Sequence, residues 1–297
     1  MREKRVCVNQ VELQIRDSET EDEALIFLHF SGANLLMWQR AVPYFQDRYR
    51  IILVDLRGHG KSARPATGYY MDEMARDVAG IMQELKLERA HVVGSSLGAE
   101  VGLSLAANEP EKVLSLVCDG ALASEFGPYG LWEGSEAEFK EHVAGELERI
   151  RTTPDILYPS IDALADARRP ALEKHGWWNA YVEAMTRYGA YRVDEGRYAR
   201  GFLQAAHENY TRHYFEYRFE DYYPKVTCPL LMLPGEDVFE NPRETAAMQG
   251  LCALAARGRI ARVAGWDHPY GWLIDPEGAC REVLEFLGSP APGSPGG

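Results

Sequence analysis

Residues 91–100 read HVVGSSLGAE, which contains a Gly-x-Ser-x-Gly pattern centred on Ser96. A short apolar run, Ala90 to Val93, precedes this pattern, and a run of small residues that suits a helix, Leu97 to Ala107, follows it. The sequence therefore predicts a strand, a sharp turn and a helix, with the serine hydroxyl projecting from the turn. Backbone N–H groups after Ser96 would lie at a helix N-terminus, where negative charge is favoured. A nucleophile needs both features, although the bare pattern also occurs by chance in loops without catalytic function.

Composition limits the kind of protein this is. The 297 residues suffice for one large α/β domain, or one domain with a sizeable insertion. A formal net charge of −13 argues against nucleic acid or an anionic membrane surface as a partner. The five scattered cysteines form no Cys-x-x-Cys pair, which favours free thiols in a reducing compartment. The N-terminus lacks a signal-peptide pattern and no apolar run is long enough to span a membrane, so we expect a cytoplasmic protein.

Several apolar runs predict the sheet. The runs Ala24–Leu28, Ile51–Val54 and Val113–Cys118 are typical of strands buried on both faces. They alternate with helical segments such as 71–86, whose apolar residues share one face. This alternation predicts an α/β fold with a mostly parallel, doubly wound sheet. Residues 4–16 alternate loosely and predict an N-terminal hairpin.

The alternation stops in the middle of the chain. Between residues 120 and 225 the sequence is charged, helical in pattern and rich in aromatic residues, with 11 of the 16 tyrosines. Strand patterns resume at Leu230–Leu233 and Arg259–Val263. We therefore predict a core of residues 1–119 and 226–288, an inserted helical cap or lid of residues 120–225, and a disordered tail of residues 289–297.

The candidate base and acid follow the late strands. Catalysis by a serine nucleophile needs a base and a group that orients the base. Because the carboxyl ends of parallel strands meet at one edge of a sheet, His268, after a late strand, is the candidate base. Asp237 is the primary candidate for the acid, and Glu236 and Asp119 are alternatives. Asp267 ranks last, since it would have to fold back onto its neighbour.

The other seven histidines fit the role of base less well. His29 and His59 lie in loops that precede the serine, and His91 begins a strand at the opposite edge of the sheet. The remaining four, His142, His175, His207 and His213, lie in the inserted segment. The run that starts at His207 lacks the second histidine of a zinc-binding His-Glu-x-x-His motif, so no metal or cofactor is predicted.

Together these residues resemble the α/β-hydrolase superfamily, in its serine-nucleophile, carboxylesterase- or lipase-like branch with a helical cap. The likeness covers roughly residues 5–120 and 225–288. The motifs that carry it are Gly94-x-Ser96-x-Gly98, Asp55-x-Arg57-Gly58-x-Gly60-x-Ser62, Gly235-x-Asp237 and His268 ahead of the last helix. No single motif is specific, but the combination is.

The resemblance implies an oxyanion hole formed by the backbone N–H groups of Leu97 and Ser31. The family usually has His-Gly before the second of these positions, whereas this chain has His29-Phe30, whose bulk would reshape that side of the hole. The family's acid also more often lies three residues after its glycine, whereas Asp237 lies two after Gly235. A serine nucleophile disfavours haloalkane dehalogenase and epoxide hydrolase chemistry, which need a carboxylate there.

We expect hydrolysis of small to medium carboxylic esters or lactones, with apolar or aromatic acyl groups, through an acyl-enzyme. Carbon–carbon bond hydrolysis, amidase or peptidase, acyltransferase and perhydrolase activities stay open, as does a receptor with slow turnover. Phe30, Trp177, Trp178 and Tyr181 are candidate substrate-binding residues, unless the aromatic residues only pack the cap onto the sheet. Glu100 is either a partner of the site or a solvated charge.

Overall fold

The structure, a computed structural model, describes residues 1–120 and 122–288. The strands are β1 (Arg2–Val8), β2 (Val11–Asp17), β3 (Ala24–Leu28), β4 (Arg50–Val54), β5 (Ala90–Ser95), β6 (Val113–Asp119), β7 (Tyr191–Asp194), β8 (Arg197–Ala199), β9 (Leu230–Leu233) and β10 (Gly258–Ile260). The α-helices are α1 (Val42–Phe45), α2 (Met71–Glu84), α3 (Leu97–Asn108), α4 (Glu136–Thr152), α5 (Ile161–Lys174), α6 (Ala180–Tyr188), α7 (Gln204–Glu216), α8 (Pro242–Leu254), α9 (Gly271–Ile274) and α10 (Glu277–Gly288). Short 3-10 helices are formed by Leu35–Trp38, Pro110–Lys112, Phe219–Asp221, Tyr223–Lys225 and Glu236–Glu240.

Eight strands form one sheet in the order β1-β2-β4-β3-β5-β6-β9-β10. Only β2 is antiparallel to its neighbours, and the other adjacent pairs are parallel. The predicted mostly parallel sheet is confirmed. The hairpin β1–β2 turns through Asn9 and Gln10, whose φ angles of 49° and 64° suit a tight two-residue turn. The last strand is shorter than predicted, because it pairs only with β9, which itself ends at Leu233.

Both faces of the sheet are buried, as the continuous apolar runs predict. In β3, Ile26 and Leu28 join a core cluster shared with α2 and α3. Leu25 and Phe27 point to the opposite face and join a second cluster, which includes Trp38 and α10. Each strand thus separates two hydrophobic cores, and its carboxyl end is the part that reaches solvent-accessible loops.

The segment between β6 and β9 contains α4 to α7 and a small two-stranded sheet, β7–β8. Its helices begin where the sequence supplies caps: the Ser135 hydroxyl accepts from the N–H of Glu138, and the Ser160 hydroxyl from that of Ala163. The hairpin was not predicted, because its strands are short and largely exposed and so lack an apolar run. The assignment of residues 120–225 as a cap separate from the core stays a prediction.

All five cysteines are free thiols, and only Cys7 is exposed. Within residues 1–120 and 122–288, no helix combines the length and apolar character needed to cross a membrane. The tail predicted to be disordered, residues 289–297, lies outside the described residues.

Candidate active site

Ser96 occupies a strained turn between β5 and α3. Its φ of 48° and ψ of −115° are unusual for a residue with a side chain. The flanking glycines permit the turn, because a Cβ on Gly98 would lie 2.1 Å from the carbonyl oxygen of Leu28 and one on Gly94 would lie 2.3 Å from that of Gly98. The N–H of Ser96 donates to the backbone carbonyl of Asp119, 2.8 Å away on the adjacent strand. Packing against neighbouring strands therefore holds the strained conformation.

Of the predicted oxyanion donors, Leu97 directly follows this turn, and Ser31 lies in the loop after β3, whose last residue, Leu28, approaches Gly98. Leu97 is the first residue of α3, so its N–H has no partner within the helix. The loop of Ser31 is fixed by the buried His29, whose Nε2 accepts from the N–H of Leu56 at 3.0 Å and whose Nδ1 donates to the carbonyl of Phe30 at 2.8 Å. Burial lowers the pKa of His29 to about 4, so it is neutral and structural. The oxyanion roles of Leu97 and Ser31 stay predictions.

Asp55 holds the glycine-rich turn after β4 in place. Its carboxylate accepts from the backbone N–H groups of Leu35, at 2.7 Å, and Lys61, at 2.8 Å, and from the Tyr188 hydroxyl at 3.0 Å. A Cβ on Gly60 would lie 2.1 Å from this carboxylate, which explains the glycine. The motif is therefore structural, and through Tyr188 it ties the inserted segment to the sheet.

The carboxylate that contacts His268 is Asp119, one of the alternatives, and not Asp237, the primary candidate. Nδ1 of His268 lies 3.0 Å from Oδ1 of Asp119. Asp119 is the last residue of β6 and pairs with Ser95, the residue before the nucleophile, so adjacent strand ends bring the groups together. Asp237 lies on the exposed 3-10 helix after β9 and reaches His268 only through its charge.

Asp119 is fully buried and accepts four hydrogen bonds. Oδ1 accepts from His268 and from Trp266 Nε1 at 3.0 Å, and Oδ2 accepts from Trp272 Nε1 at 2.8 Å and from the Ser95 hydroxyl at 2.5 Å. Sequence reasoning missed these three supporting donors. The available signal was the pair of tryptophans close to His268 in the chain.

The two partners stabilise each other's charged forms. Burial alone would raise the pKa of Asp119, but the charge of His268 and the hydrogen bonds around the carboxylate outweigh it, and the pKa is lowered. Burial alone would lower the pKa of His268, but Asp119, Asp237 and Asp267 outweigh it, and the pKa is raised. The imidazole is thus set to accept a proton, and Nε2 is the nitrogen left to receive it.

Ser96 and His268 line one cavity of about 320 Å³. The inserted segment closes part of it with aromatic residues from α7 and the following 3-10 helix. The cavity's lining residues are Ser96, Glu100, Gly120, Leu122, Ala123, Tyr210, Tyr214, Phe219, Gly235, Asp237, Val238, Glu244 and His268. The nucleophile and the base predicted from the sequence therefore meet at a space large enough for a small molecule.

The four predicted substrate-binding residues lie elsewhere. Phe30 packs edge-on against Tyr270, with ring centres 5.3 Å apart, and Trp177 stacks on Tyr270 at 4.6 Å. Trp178 lies against Arg169, and Tyr181 is 45% exposed. Phe30, Trp177 and Trp178 belong to or flank the hydrophobic cluster on the α10 side of the sheet, and none of the four predicted residues lines the cavity of Ser96 and His268. Their role in substrate binding stays a prediction.

Glu100 is buried, with 3% of its surface exposed, so its interpretation as a solvated charge is wrong. It lies one helical turn after Ser96 and lines the same cavity. The hydroxyl of Tyr210 donates to its two oxygens at 3.1 and 3.4 Å. Burial raises the pKa of Glu100 to about 8, against the opposing effect of that hydrogen bond.

Comparison with known proteins agrees with this architecture. Residues 23–145 match the family model described as the alpha/beta hydrolase fold. The crystal structure of E-2-(acetamidomethylene)succinate hydrolase superposes with a TM-score of 0.74 at 25% identity, covering 97% of this chain and 99% of that one. The enol-lactonase from Burkholderia xenovorans LB400 superposes with a TM-score of 0.69 at 20% identity, covering 96% and 100%. The chain therefore has the α/β-hydrolase fold.

Relatives with assigned activities include hydrolases with differing substrates. The 2-(acetamidomethylene)succinate hydrolase of Mesorhizobium japonicum is 29% identical over 289 residues, which cover 96% of this chain and 94% of that protein. The 3-oxoadipate enol-lactonase 2 of Acinetobacter baylyi is 35% identical over 115 residues, which cover 39% of this chain and only 43% of that protein. A hydrolytic enzyme of this superfamily is therefore supported, and the substrate class is a separate question.

Proposed function

We propose that this protein is a serine hydrolase that cleaves small to medium carboxylic esters or lactones through an acyl-enzyme. One observation carries the proposal: Ser96 stands on a strained turn in the same cavity as His268, whose Nδ1 is held by the buried Asp119. A nucleophile, a base and a group that orients the base are the parts that acyl transfer requires.

In the proposed mechanism, Nε2 of His268 takes the proton of the Ser96 hydroxyl while Oγ attacks the acyl carbon. The N–H groups of Leu97 and Ser31 donate to the oxyanion, and each is worth about 3 kcal/mol by comparison with single-donor deletions. The imidazolium then protonates the leaving oxygen, so the alcohol departs and the serine is acylated. Water, deprotonated by His268, attacks the ester carbon, the bond from that carbon to Ser96 Oγ breaks, and the imidazolium returns the proton to Oγ as the acid is released. Asp119 stays ionised throughout and fixes the tautomer of the imidazole.

We also propose that residues 120–225 act as a cap over the site. Tyr210 and Tyr214 of α7, and Phe219 after it, supply part of the cavity wall. The Tyr188 hydroxyl donates to Asp55, and the Asn34 side-chain amide donates to the carbonyl of Met185, so α6 is tied to the sheet edge. A cap of this kind excludes water from the reacting groups and shapes the substrate space.

Amide hydrolysis is a second candidate. The relative that aligns with nearly the whole chain is named for an acetamido substrate, and an amide is attacked by the same serine, base and oxyanion donors. A 4-nitroanilide and a 4-nitrophenyl ester with the same acyl group separate the two activities, because only the leaving group differs. We expect the ester to be the better substrate.

The function is tested by hydrolysis of 4-nitrophenyl butyrate by the parent, Ser96→Ala and Ser95→Ala. Ser96→Ala removes the nucleophile, and we expect kcat to fall by about 10⁴-fold or more. Ser95→Ala is the matched control, since its hydroxyl donates to Asp119 and does not line the cavity. It is expected to keep far more activity than Ser96→Ala. Retention of most activity by Ser96→Ala would refute the mechanism.

A further inference from the structure

The ionisable groups that line the cavity are mainly acidic. Of the lining residues that the structure describes, three carry carboxyl groups, Glu100, Asp237 and Glu244, and none is lysine or arginine. Among these described lining residues, His268 alone can gain a positive charge, and its imidazole is paired with Asp119. An anionic substrate would therefore enter a space that offers it no cation, whereas a cationic one meets carboxyl groups from the rim inward.

Glu100 is the inner member of these three. It lies in the first turn of α3, four residues after Ser96, and both residues line the cavity. Its carboxyl group is buried, and among residues 1–120 and 122–288 its one hydrogen-bond donor is the Tyr210 hydroxyl. Two carboxylate oxygens accept up to about four hydrogen bonds, so this group has capacity left for a ligand in the cavity.

The tyrosines that line the cavity beside Glu100 already donate their hydroxyl protons to carboxylates. The Tyr210 hydroxyl donates to Glu100, and the Tyr214 hydroxyl donates to Oε1 of Glu125 at 3.0 Å. Phe219 also lines the cavity. What these residues offer a ligand is therefore ring surface, which attracts cations through the electron-rich face of the ring.

On the basis of the proposed hydrolase function, we propose that the cavity selects substrates that carry a cationic group, and that Glu100 is the residue that binds this group. Glu100 is then a specificity-determining residue within reach of the nucleophile. The rim carboxylates Asp237 and Glu244 attract the cation during entry, and the buried carboxylate holds it.

The ionisation of Glu100 makes the selection depend on pH. Burial raises the pKa of its carboxyl to about 8, and a bound cation favours the ionised form, so binding releases a proton below that pH. The groups that face Glu100 from other elements are Tyr210, Tyr214 and Tyr217, whose pKa values burial raises, and across the cavity His268, Asp237 and Glu244. The preference for a cation therefore increases as pH rises from 6 to 8.5.

The experiment compares substrates of equal shape and different charge. With the charge in the acyl group, the 4-nitrophenyl esters of 5-(trimethylammonio)pentanoate, 6,6-dimethylheptanoate and adipate are cationic, neutral and anionic. With the charge in the leaving group, butyrylthiocholine is compared with S-(3,3-dimethylbutyl) thiobutyrate. The readout is the ratio of kcat/KM values within one pair, in which general effects of Ser96 and His268 cancel.

At pH 8.5 we expect the kcat/KM of the cationic member of at least one pair to exceed that of the neutral member about tenfold or more. The adipate ester should be the poorest substrate. Glu100→Gln should reduce the ratio of cationic to neutral kcat/KM to near unity. Glu244→Gln, at the partly exposed rim, is the matched control and should reduce it much less. If Glu100→Gln does not fold, the rise of the parent's ratio between pH 6 and 8.5 tests the same residue.

Equal kcat/KM values for the cationic and neutral members of both pairs would overturn the inference. A preference for the cationic member that does not change in Glu100→Gln, or that does not change with pH, would also overturn it. Either result is compatible with Ser96-dependent hydrolysis of the neutral esters, so the hydrolase function would stand. Failure of the hydrolase function is a different result, in which the neutral esters are not turned over in a manner that depends on Ser96.

Discussion

Replacing Asp119 by asparagine tests the assignment of the acid. The carboxylate of Asp119 accepts from His268 and Trp266 on one oxygen and from Trp272 and Ser95 on the other. Asparagine keeps one acceptor oxygen and places an NH₂ group where the other was. In either orientation two buried donors lose their acceptor.

The expected cost follows from those contacts. Two buried donors left without partners cost about 2–6 kcal/mol in free energy of unfolding, at about 1–3 kcal/mol each. If the NH₂ group faces His268, Nδ1 can no longer donate, the imidazole takes the other tautomer, and Nε2 carries the proton that it must be free to accept. The comparable substitution in serine proteases costs about 10⁴-fold in kcat. We expect kcat/KM to fall by about 10³–10⁴-fold, or about 4–5.5 kcal/mol in activation free energy.

The assay measures kcat/KM for a neutral 4-nitrophenyl ester at pH 8, with thermal melting to confirm that each variant is folded. Asp237→Asn is the matched control, because Asp237 is exposed and reaches His268 only through its charge. It should lower kcat/KM by less than about tenfold, in keeping with the loss of a screened surface charge. A larger loss in Asp237→Asn than in Asp119→Asn would refute the assignment of Asp119.

Three further outcomes are expected. The kcat/KM of the parent should fall with decreasing pH at a midpoint above 6.5, because the carboxylates around His268 raise its pKa and a protonated ring cannot act as a base. A midpoint below 6.5 would contradict this. The free energy of unfolding of Glu100→Gln and of the parent is measured in urea at pH 5 to 8. The folded parent holds a proton on Glu100 that the unfolded chain releases, so the variant should gain stability relative to the parent by about 1.4 kcal/mol per pH unit, levelling off near pH 8. A difference that stays constant with pH would count against a raised pKa of Glu100. Gly98→Ala should lower the melting temperature and the activity, because its Cβ would lie 2.1 Å from a carbonyl oxygen of β3, whereas Gly145→Ala, with open space around its Cβ in α4, should leave the melting temperature equal or higher.

The fold was predictable because its signals are local. Apolar runs define strands that are buried on both faces. The glycines on either side of Ser96 predict a tight turn, and at both positions a Cβ would clash with the backbone. His268 was predictable because parallel strands end at a common edge, and it lines the same cavity as Ser96.

The carboxylate that contacts His268 was not predictable in the same way. Asp119 and Asp237 both follow strands at that edge, and the choice between them depends on how β6 and β9 lie relative to His268. The pairing of Asp119 with Ser95 in the ladder, and the two tryptophans that support the carboxylate, are products of packing that spacing along the chain does not reveal.

The cavity lining depends on the inserted segment even more strongly. Aromatic residues are spread along its length, and their number does not say which helix covers the serine. In the structure α7 does so with Tyr210 and Tyr214, while Trp177 and Trp178 pack on the other core. The sequence leaves open whether Glu100 is a partner of the site or a solvated charge, because its burial depends on the position of α7.

The most direct measurement is the site of covalent labelling by a fluorophosphonate, since this reagent requires an activated serine next to oxyanion donors. The protein is labelled, digested and mapped by mass spectrometry. We predict one adduct per chain, on the peptide that contains Ser96, and no adduct in Ser96→Ala. An active protein labelled on another residue, or not labelled at all, would contradict the account.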